Sequence, residues 1–312
     1  MVDLTVSIVT ANNKKFILDC LRSIYGTPKE LRYEVYVVVN NSSDDSEKVI
    51  REEFAEVKLI INQQKLGFTH NHNAVLRRSI GRYVLILNDD TLILDDALKK
   101  MVEFMDKSPG VGILGCKILN PDGTLQWSCG KRISHRFEYW NAGVLKALLP
   151  FLQHRHFRNT QEVSWVTGAC LLVRNEAVRT IGGLDENIII YFEDADWCYR
   201  MIRAGWKVVF NPDASIIHYF GQTRKQYLAR DIFIIYQSRL YFFSKHYSRY
   251  IFHLVRMLTV LEIVLRYMRS VGLPYISRGR RREGRELRMA YKQVIKLAFN
   301  PNSSQGKGSS TR

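Results

Sequence analysis

Over the first 120 residues the apolar positions switch repeatedly between two periods. Leu4 to Thr10 is a near-continuous apolar run, the pattern of a strand covered on both faces. Phe16, Leu18, Cys20, Leu21 and Ile24 then recur at helical spacing. Glu34 to Val39 and Val57 to Ile61 read as the second and third strands, Asn71 to Ser79 as a helix, and Tyr83 to Leu87 as a fourth strand. A helix starts near Asp95, and Val111 to Leu114 opens a fifth strand. Strands and helices in this order predict an α/β, Rossmann-like fold with a mainly parallel central sheet and helices on both faces.

The middle of the chain is less regular. Asn120-Pro121-Asp122-Gly123 is a turn signal, and residues 130 to 160 read as a basic insertion rich in Arg and His. Regular structure resumes over Val163 to Val173, and a helix from Asn175 to Ile181 ends at Gly182-Gly183. Beyond Gly221, Tyr227 to His246 and Tyr250 to Met268 are long and apolar, but Arg230, Arg239, Lys245, Arg256 and Arg266 interrupt them. Neither gives the roughly 18 clean apolar residues of a spanning helix. The expected divisions are 1–222 (halves 1–120 and 121–222), a basic helical region 223–299, and a disordered polar tail 300–312.

Composition adds three constraints. With 46% hydrophobic residues the chain can build a sizeable core. The formal charge of +16, concentrated after Arg224, admits anionic lipid or phosphorylated substrates as partners. No zinc-finger or RNP-like signature accompanies it, so nucleic acid is not an expected partner. Apolar helices studded with Arg and followed by Arg278-Gly279-Arg280-Arg281-Arg282 fit an anchor lying on an anionic membrane surface. The alternative is a helical subdomain whose arginines reach out to water. Five cysteines without a CxxC pair read as free thiols in a reducing compartment. The N-terminus reads as a first strand, not a signal peptide, which makes cytoplasm the default.

The candidate chemistry sits at strand ends, where open α/β sheets bind ligands. Asn88-Asp89-Asp90-Thr91 follows the fourth strand. Adjacent carboxylates there suit Mg²⁺ or Mn²⁺ riding on substrate phosphates, and they equally suit a helix N-cap. Thr10-Ala11-Asn12 and Asn40-Asn41-Ser42-Ser43-Asp44 end the first two strands with amide and hydroxyl groups able to hold a base and ribose. Gly67, before Asn71 and Asn73, permits a tight turn into a helix whose N-terminus would face a phosphate. Glu193 and Asp194 sit in the first turn of a later helix, where the dipole favours an ionised carboxylate.

Taken in order, these motifs resemble the GT-A-fold family 2 glycosyltransferases, and the rhamnosyltransferase-like enzymes of bacterial polysaccharide assembly in particular. The resemblance covers roughly residues 4 to 245. It is carried by Val6-Ser7-Ile8-Val9-Thr10, the Asn40 to Ser46 turn, Asn62 with Gly67-Phe68 and Asn73, Asn88-Asp89-Asp90-Thr91, Thr167-Gly168-Ala169, Gly182-Gly183-Leu184-Asp185, Phe192-Glu193-Asp194-Ala195-Asp196 and His218.

By position the resemblance implies that Thr10, Asn12, Asn40 and Asp44 line a nucleotide pocket with Gly67 and Asn73 nearby. Asp90 would hold the divalent ion, with His218 completing its shell, and Asn88 and Asp89 would face ribose or donor sugar. Asp194 would be the base that deprotonates the acceptor, and Trp165, Gly168 and Glu193 are acceptor-side candidates. The implied reaction is inverting transfer from a nucleotide-diphosphate sugar, dTDP-L-rhamnose or a UDP-hexose. The acceptor would be a lipid-linked saccharide at the cytoplasmic face of a bacterial inner membrane. Asn88 departs from the family's first acid and Asn40 from an Asp that faces a pyrimidine N–H. The rivals are a non-catalytic nucleotide-sugar or glycan binder and a nucleotidyltransferase, for which the Gly-rich N-terminal motif is lacking.

Overall fold

The computed structural model describes residues 2–27, 30–130, 157–219, 228–272 and 278–299. The basic insertion, apart from its ends, and the polar tail lie outside the described residues. The chain divides into two compact units, Met1–Asp185 with Asp194–Phe220, and Glu186–Glu193 with Gly221–Arg312.

In the first unit β1 (Leu4–Thr10), α1 (Lys14–Tyr25), β2 (Tyr33–Asn40), α2 (Ser46–Glu53), β3 (Lys58–Asn62), α3 (Phe68–Leu76) and β4 (Tyr83–Asn88) follow the expected alternation. Then come β5 (Thr91–Ile93), α4 (Ala97–Lys107), β6 (Val111–Leu119), β7 (Cys129–Gly130), β8 (Gln161–Glu162), β9 (Trp165–Val166), β10 (Cys170–Arg174), α5 (Asn175–Ile181), α6 (Glu193–Arg203) and β11 (Lys207–His218). The main sheet runs β3-β2-β1-β4-β10-β6-β11-β5, with β8 beside β11. β3, β2, β1 and β4 are mutually parallel, and β6 pairs parallel with β11. β10 and β5 run against their neighbours.

Period-two alternation along the strands divides the core into two layers. Val6, Ile8, Leu85, Leu87 and Leu114 pack with Ile17, Leu21 and Met101 of α1 and α4 on one face. Val84, Ile86, Ile113, Leu171 and Phe210 pack with Trp197 and Met201 of α6 on the other. Helices therefore cover both faces, as the continuous apolar strands require.

Three expectations are adjusted. The helix expected over Asn71 to Ser79 is α3, three residues earlier. It starts directly after the extended Gly67 and stops because Ser79 to Gly81 must turn into β4. That turn is held by Asn175 Nδ2, which donates to Gly81 O at 2.8 Å, and by Gly81 N–H, which donates to Thr5 Oγ1 at 3.1 Å. The strand opening at Val111 continues to Leu119, past Gly115, whose small size hid the continuation. A Cβ on Gly115 would come within 2.6 Å of Val166, so glycine is what lets β9 lie against the sheet. The apolar stretch from Val163 to Val173 is broken at Thr167-Gly168-Ala169, and only its second half enters the main sheet, as β10.

The second unit carries α7 (Leu228–His246), α8 (Arg249–Gly272) and α9 (Arg278–Phe299), packed through Tyr236, Ile263, Leu287, Tyr291 and Val294. No helix among the described residues is long and apolar enough to cross a membrane. All five cysteines are buried thiols of the first unit.

Candidate active site

Parallel pairing collects the C-terminal ends of three strands on one edge. Thr10 is opposite Val39, Val9 opposite Asn88, and Asn40 opposite Asn62, so Thr10, Asn40 and Asn88 share that edge. The acidic turn follows Asn88. Its far side is fixed by β5, whose Thr91 is paired with His218 of β11. A residue 128 positions further along the chain is thus delivered to the carboxylates by sheet register.

His218 Nε2 lies 3.2 Å from Asp90 Oδ1 and 3.3 Å from Asn88 Nδ2. On the other side of the ring, Nδ1 lies 3.0 Å from Gln126 Oε1. The Gln126 amide has one consistent orientation, because its Nε2 donates to Asn120 Oδ1 at 2.8 Å and to His218 O at 2.6 Å. Oε1 therefore accepts from Nδ1–H, which leaves Nε2, between Asp90 Oδ1 and Asn88 Nδ2, as the ring nitrogen available to a cation. Two ligand atoms at adjacent corners of an octahedral ion, each about 2.1 Å from it, are about 3 Å apart. The Asp90–His218 pair fits a small divalent cation in both spacing and donor chemistry. No group of three or more His, Cys, Asp or Glu suited to a metal exists among the described residues. A cation here would take its remaining ligands from substrate and water.

Asp89 adds a second carboxylate. Burial pushes it up to about 7, Asp90 beside it acts in the same direction, and Thr10 and Asn13 oppose the rise. Two neighbouring carboxylates of like charge are relieved by a bound cation.

The nucleotide-side candidates divide into two groups. Asn12, at φ 54°, accepts from Ser43 N–H at 2.7 Å, and its own N–H donates to Ser42 Oγ at 3.0 Å. Asp44 accepts from Lys14 N–H at 2.7 Å, at the start of α1. These bonds tie the loop after β1 to the loop after β2. Asn40 is committed elsewhere. Its Nδ2 donates to Leu66 O at 3.0 Å while its Oδ1 accepts from Leu66 N–H at 2.9 Å. An Asp could not donate, so asparagine here clamps the loop leading to Gly67. Asn73 is likewise occupied, exchanging two bonds with the Leu184 backbone at 2.8 and 2.9 Å. The resemblance implied a pocket role for both Asn40 and Asn73; their amides bond the backbone of Leu66 and Leu184.

Asp194 is reached from the same edge. Asn88 N–H donates to Ala169 O at 3.0 Å, and the adjacent Gly168 N–H donates to Asp194 Oδ2 at 3.0 Å. Ala195 N–H donates to the other oxygen at 2.7 Å. Burial raises the Asp194 carboxyl above its ordinary range, and the Gly168 and Ala195 N–H groups partly offset this. Gly168 thus positions Asp194 through its backbone. Glu193 is buried at the first position of α6. Trp165 lies against Gly130, where a Cβ would meet its indole nitrogen at 2.4 Å. Asp196, fully buried, pairs with Arg200 at 2.8 Å, and Arg200 in turn bonds Ile181 O and Gly183 O. The third acid of that motif is structural.

Gln126 was missed by the sequence reading. Its signal was the Asn120 to Gly123 turn, which returns the chain so that Gln126 N–H bonds Ile118 O at 2.8 Å. Gln126→Leu should lower Mn²⁺ affinity, measured calorimetrically with nucleoside diphosphate, by roughly 10–100-fold. An unchanged affinity would remove Gln126 from the support of His218.

The model of the family described as "Glycosyltransferase like family 2" matches residues 3–232. The chain is 27% identical over 240 residues to the uncharacterized protein y4gI of Sinorhizobium fredii, covering 70% of this chain and 25% of that one. It is 26% identical over 206 residues to the N-acetylglucosaminyl-diphospho-decaprenol L-rhamnosyltransferase of Mycobacterium tuberculosis, covering 59% of this chain and 66% of the relative. The chain therefore spans less than two thirds of the length of these curated relatives. Its fold is similar to that of the mannosyltransferase PcManGT from Pyrobaculum calidifontis in complex with GDP-Man and Mn²⁺, with a TM-score of 0.57, 16% identity, and coverage of 96% and 87% of the two chains.

Proposed function

Because the chain belongs to glycosyltransferase family 2, we propose that it moves a sugar from a nucleotide-diphosphate donor to a saccharide acceptor in cell-surface polysaccharide synthesis. The observation that carries the reading is the spacing of Asp90 Oδ1 and His218 Nε2, at 3.2 Å on the same sheet edge as Asn88. Through the Thr167–Ala169 turn, that edge is bonded to Asp194.

In this reading Thr10, Asn12 and the β1 and β2 loops border the nucleotide, and Asp90 and His218 hold Mg²⁺ or Mn²⁺. When bound, the ion offsets negative charge on the departing diphosphate. Asp194 takes the proton of the acceptor hydroxyl as that oxygen bonds to the anomeric carbon. The carbon–oxygen bond to the diphosphate breaks on the opposite side, and the nucleoside diphosphate leaves with the electron pair. One base and in-line attack give inversion. The Gly168 N–H keeps the base oriented, so positioning supplies part of the rate.

dTDP-L-rhamnose is the favoured donor and a lipid-linked saccharide the favoured acceptor. Support comes from the M. tuberculosis relative, whose name specifies rhamnosyl transfer to a decaprenyl-linked sugar. The basic helical unit would hold the enzyme on the cytoplasmic membrane face where such an acceptor lies.

A thermal-shift panel of dTDP-L-rhamnose, UDP-hexoses and GDP-mannose with Mn²⁺ or Mg²⁺ tests the donor. A true donor at about 100 times its Kd stabilises the fold by about 2.7 kcal/mol. Transfer from it to a polyprenyl-linked acceptor is the expected product. No stabilisation by any donor would sink the reading, and stabilisation without turnover would favour a non-catalytic binder.

A further inference from the structure

α8 carries an exposed apolar file. Tyr250, Leu254, Met257, Leu261, Leu265 and Met268 are all exposed, Tyr250 at 79% and Met257 at 69%. At 100° per residue they occupy an arc of roughly 80°, and they extend over about 27 Å of helix. The opposite face is the packed one, because Val255, Thr259 and Ile263 are fully buried. A single exposed leucine is ordinary, whereas a continuous file of this length marks an interaction surface.

The charges around the file select the occupant. One rim carries Arg249, His253 and Arg256. The helix's one acid, Glu262, is engaged, accepting from Tyr236 at 2.8 Å, Arg266 at 3.0 Å and Arg239 at 3.4 Å. Spacings of three and four also permit helix pairing with a second copy, but paired helices of this kind choose partners through complementary rim charges. Two copies of α8 would bring basic rims together with no acid to answer them. An anionic bilayer satisfies both the apolar file and the basic rim. Residues 228–299 hold 15 Lys and Arg against 4 Asp and Glu, and Arg285, Lys292 and Lys296 on α9 are exposed.

We propose that α8 lies in the plane of an anionic membrane surface, with the Tyr250–Met268 file in the acyl boundary and the basic side chains at lipid phosphates. This names the surface behind the membrane partner suggested above. It concerns the second unit, so its failure would leave the donor site in the first unit untouched.

The test uses the full chain with vesicles of phosphatidylcholine, with and without phosphatidylglycerol. Met257→Glu combined with Leu261→Glu should lower partitioning to anionic vesicles by at least about tenfold. Lys292→Gln and Lys296→Gln should each cost roughly fivefold at low salt, an effect that fades at high salt. All four positions are exposed, so the melting temperature and donor binding should not move. Met257→Trp should blue-shift its fluorescence on anionic vesicles alone. Absence of wild-type partitioning, or partitioning indifferent to the Glu pair, would overturn the proposal. A wild-type dimer that the Glu pair dissociates, with vesicle binding unchanged, would assign the file to a second copy instead.

Discussion

Asp194→Asn is expected to lower kcat by about 10²–10⁴-fold while leaving donor affinity nearly unchanged. The side chain keeps its shape, and its remaining oxygen can still accept one of the two backbone N–H groups at Gly168 and Ala195. What is lost is the carboxylate that takes the proton. The wild-type pH profile gives a second readout. Burial raises the Asp194 carboxyl, so its ionised, active form is reached only above the usual carboxylate range. Activity should therefore fall on acidification through a limb lying above the ordinary Asp value of about 3.9. The stability consequence has the opposite sign. A carboxyl raised in the folded state makes the fold most stable when protonated, and that contribution is lost as pH rises through its folded pKa. A limb at the ordinary Asp value, or a variant that turns over normally, would take Asp194 out of the base role.

Asp90→Ala should remove the metal dependence of donor binding and lower kcat/KM by about a hundredfold or more, since a cation on a departing diphosphate contributes several kcal/mol. His218 and Asn88 remain, but neither supplies negative charge. Without metal the variant should melt no lower than wild type, because the like charge beside Asp89 has gone. That pairing of results separates a lost ligand from a damaged fold. A Mn²⁺ titration that is identical in variant and wild type would end the assignment.

Much of this was legible in the sequence because strand ends and apolar periodicity are local signals. Leu4 to Thr10 and Tyr83 to Leu87 announce buried parallel strands, and their ends carry the polar clusters. His218 was identifiable only through the resemblance. What brings it to Asp90 is the antiparallel pairing of β5 with β11, which no local pattern records. The reversed strand β10 was hidden for the same reason, since alternation of strand and helix says nothing of direction. Asn40, at the end of β2, and Asn73, within α3, show a different limit. A polar amide reads from sequence as a ligand group, but the backbone bonds it also makes, to Leu66 and Leu184, depend on chain that no local pattern records. Asn40 also gives its departure from the family a physical reason, because the Leu66 clamp needs a donor and an acceptor on one side chain. For Gln126 the Asn120 to Gly123 turn signals only that the chain returns; its role exists through the ring it holds.

The placement of the thiols gives the molecule a built-in reporter. Cys20, Cys116, Cys129, Cys170 and Cys198 are all sealed within the sheet unit, and burial pushes Cys20 and Cys129 up to about 12. An alkylating reagent reaches them only when that unit opens, so labelling kinetics would measure the opening free energy of the sheet directly. The helical unit contains no cysteine. A single Cys introduced on α8 would be labelled against a silent background, which makes the native chain ready for site-specific probes without first stripping its own thiols.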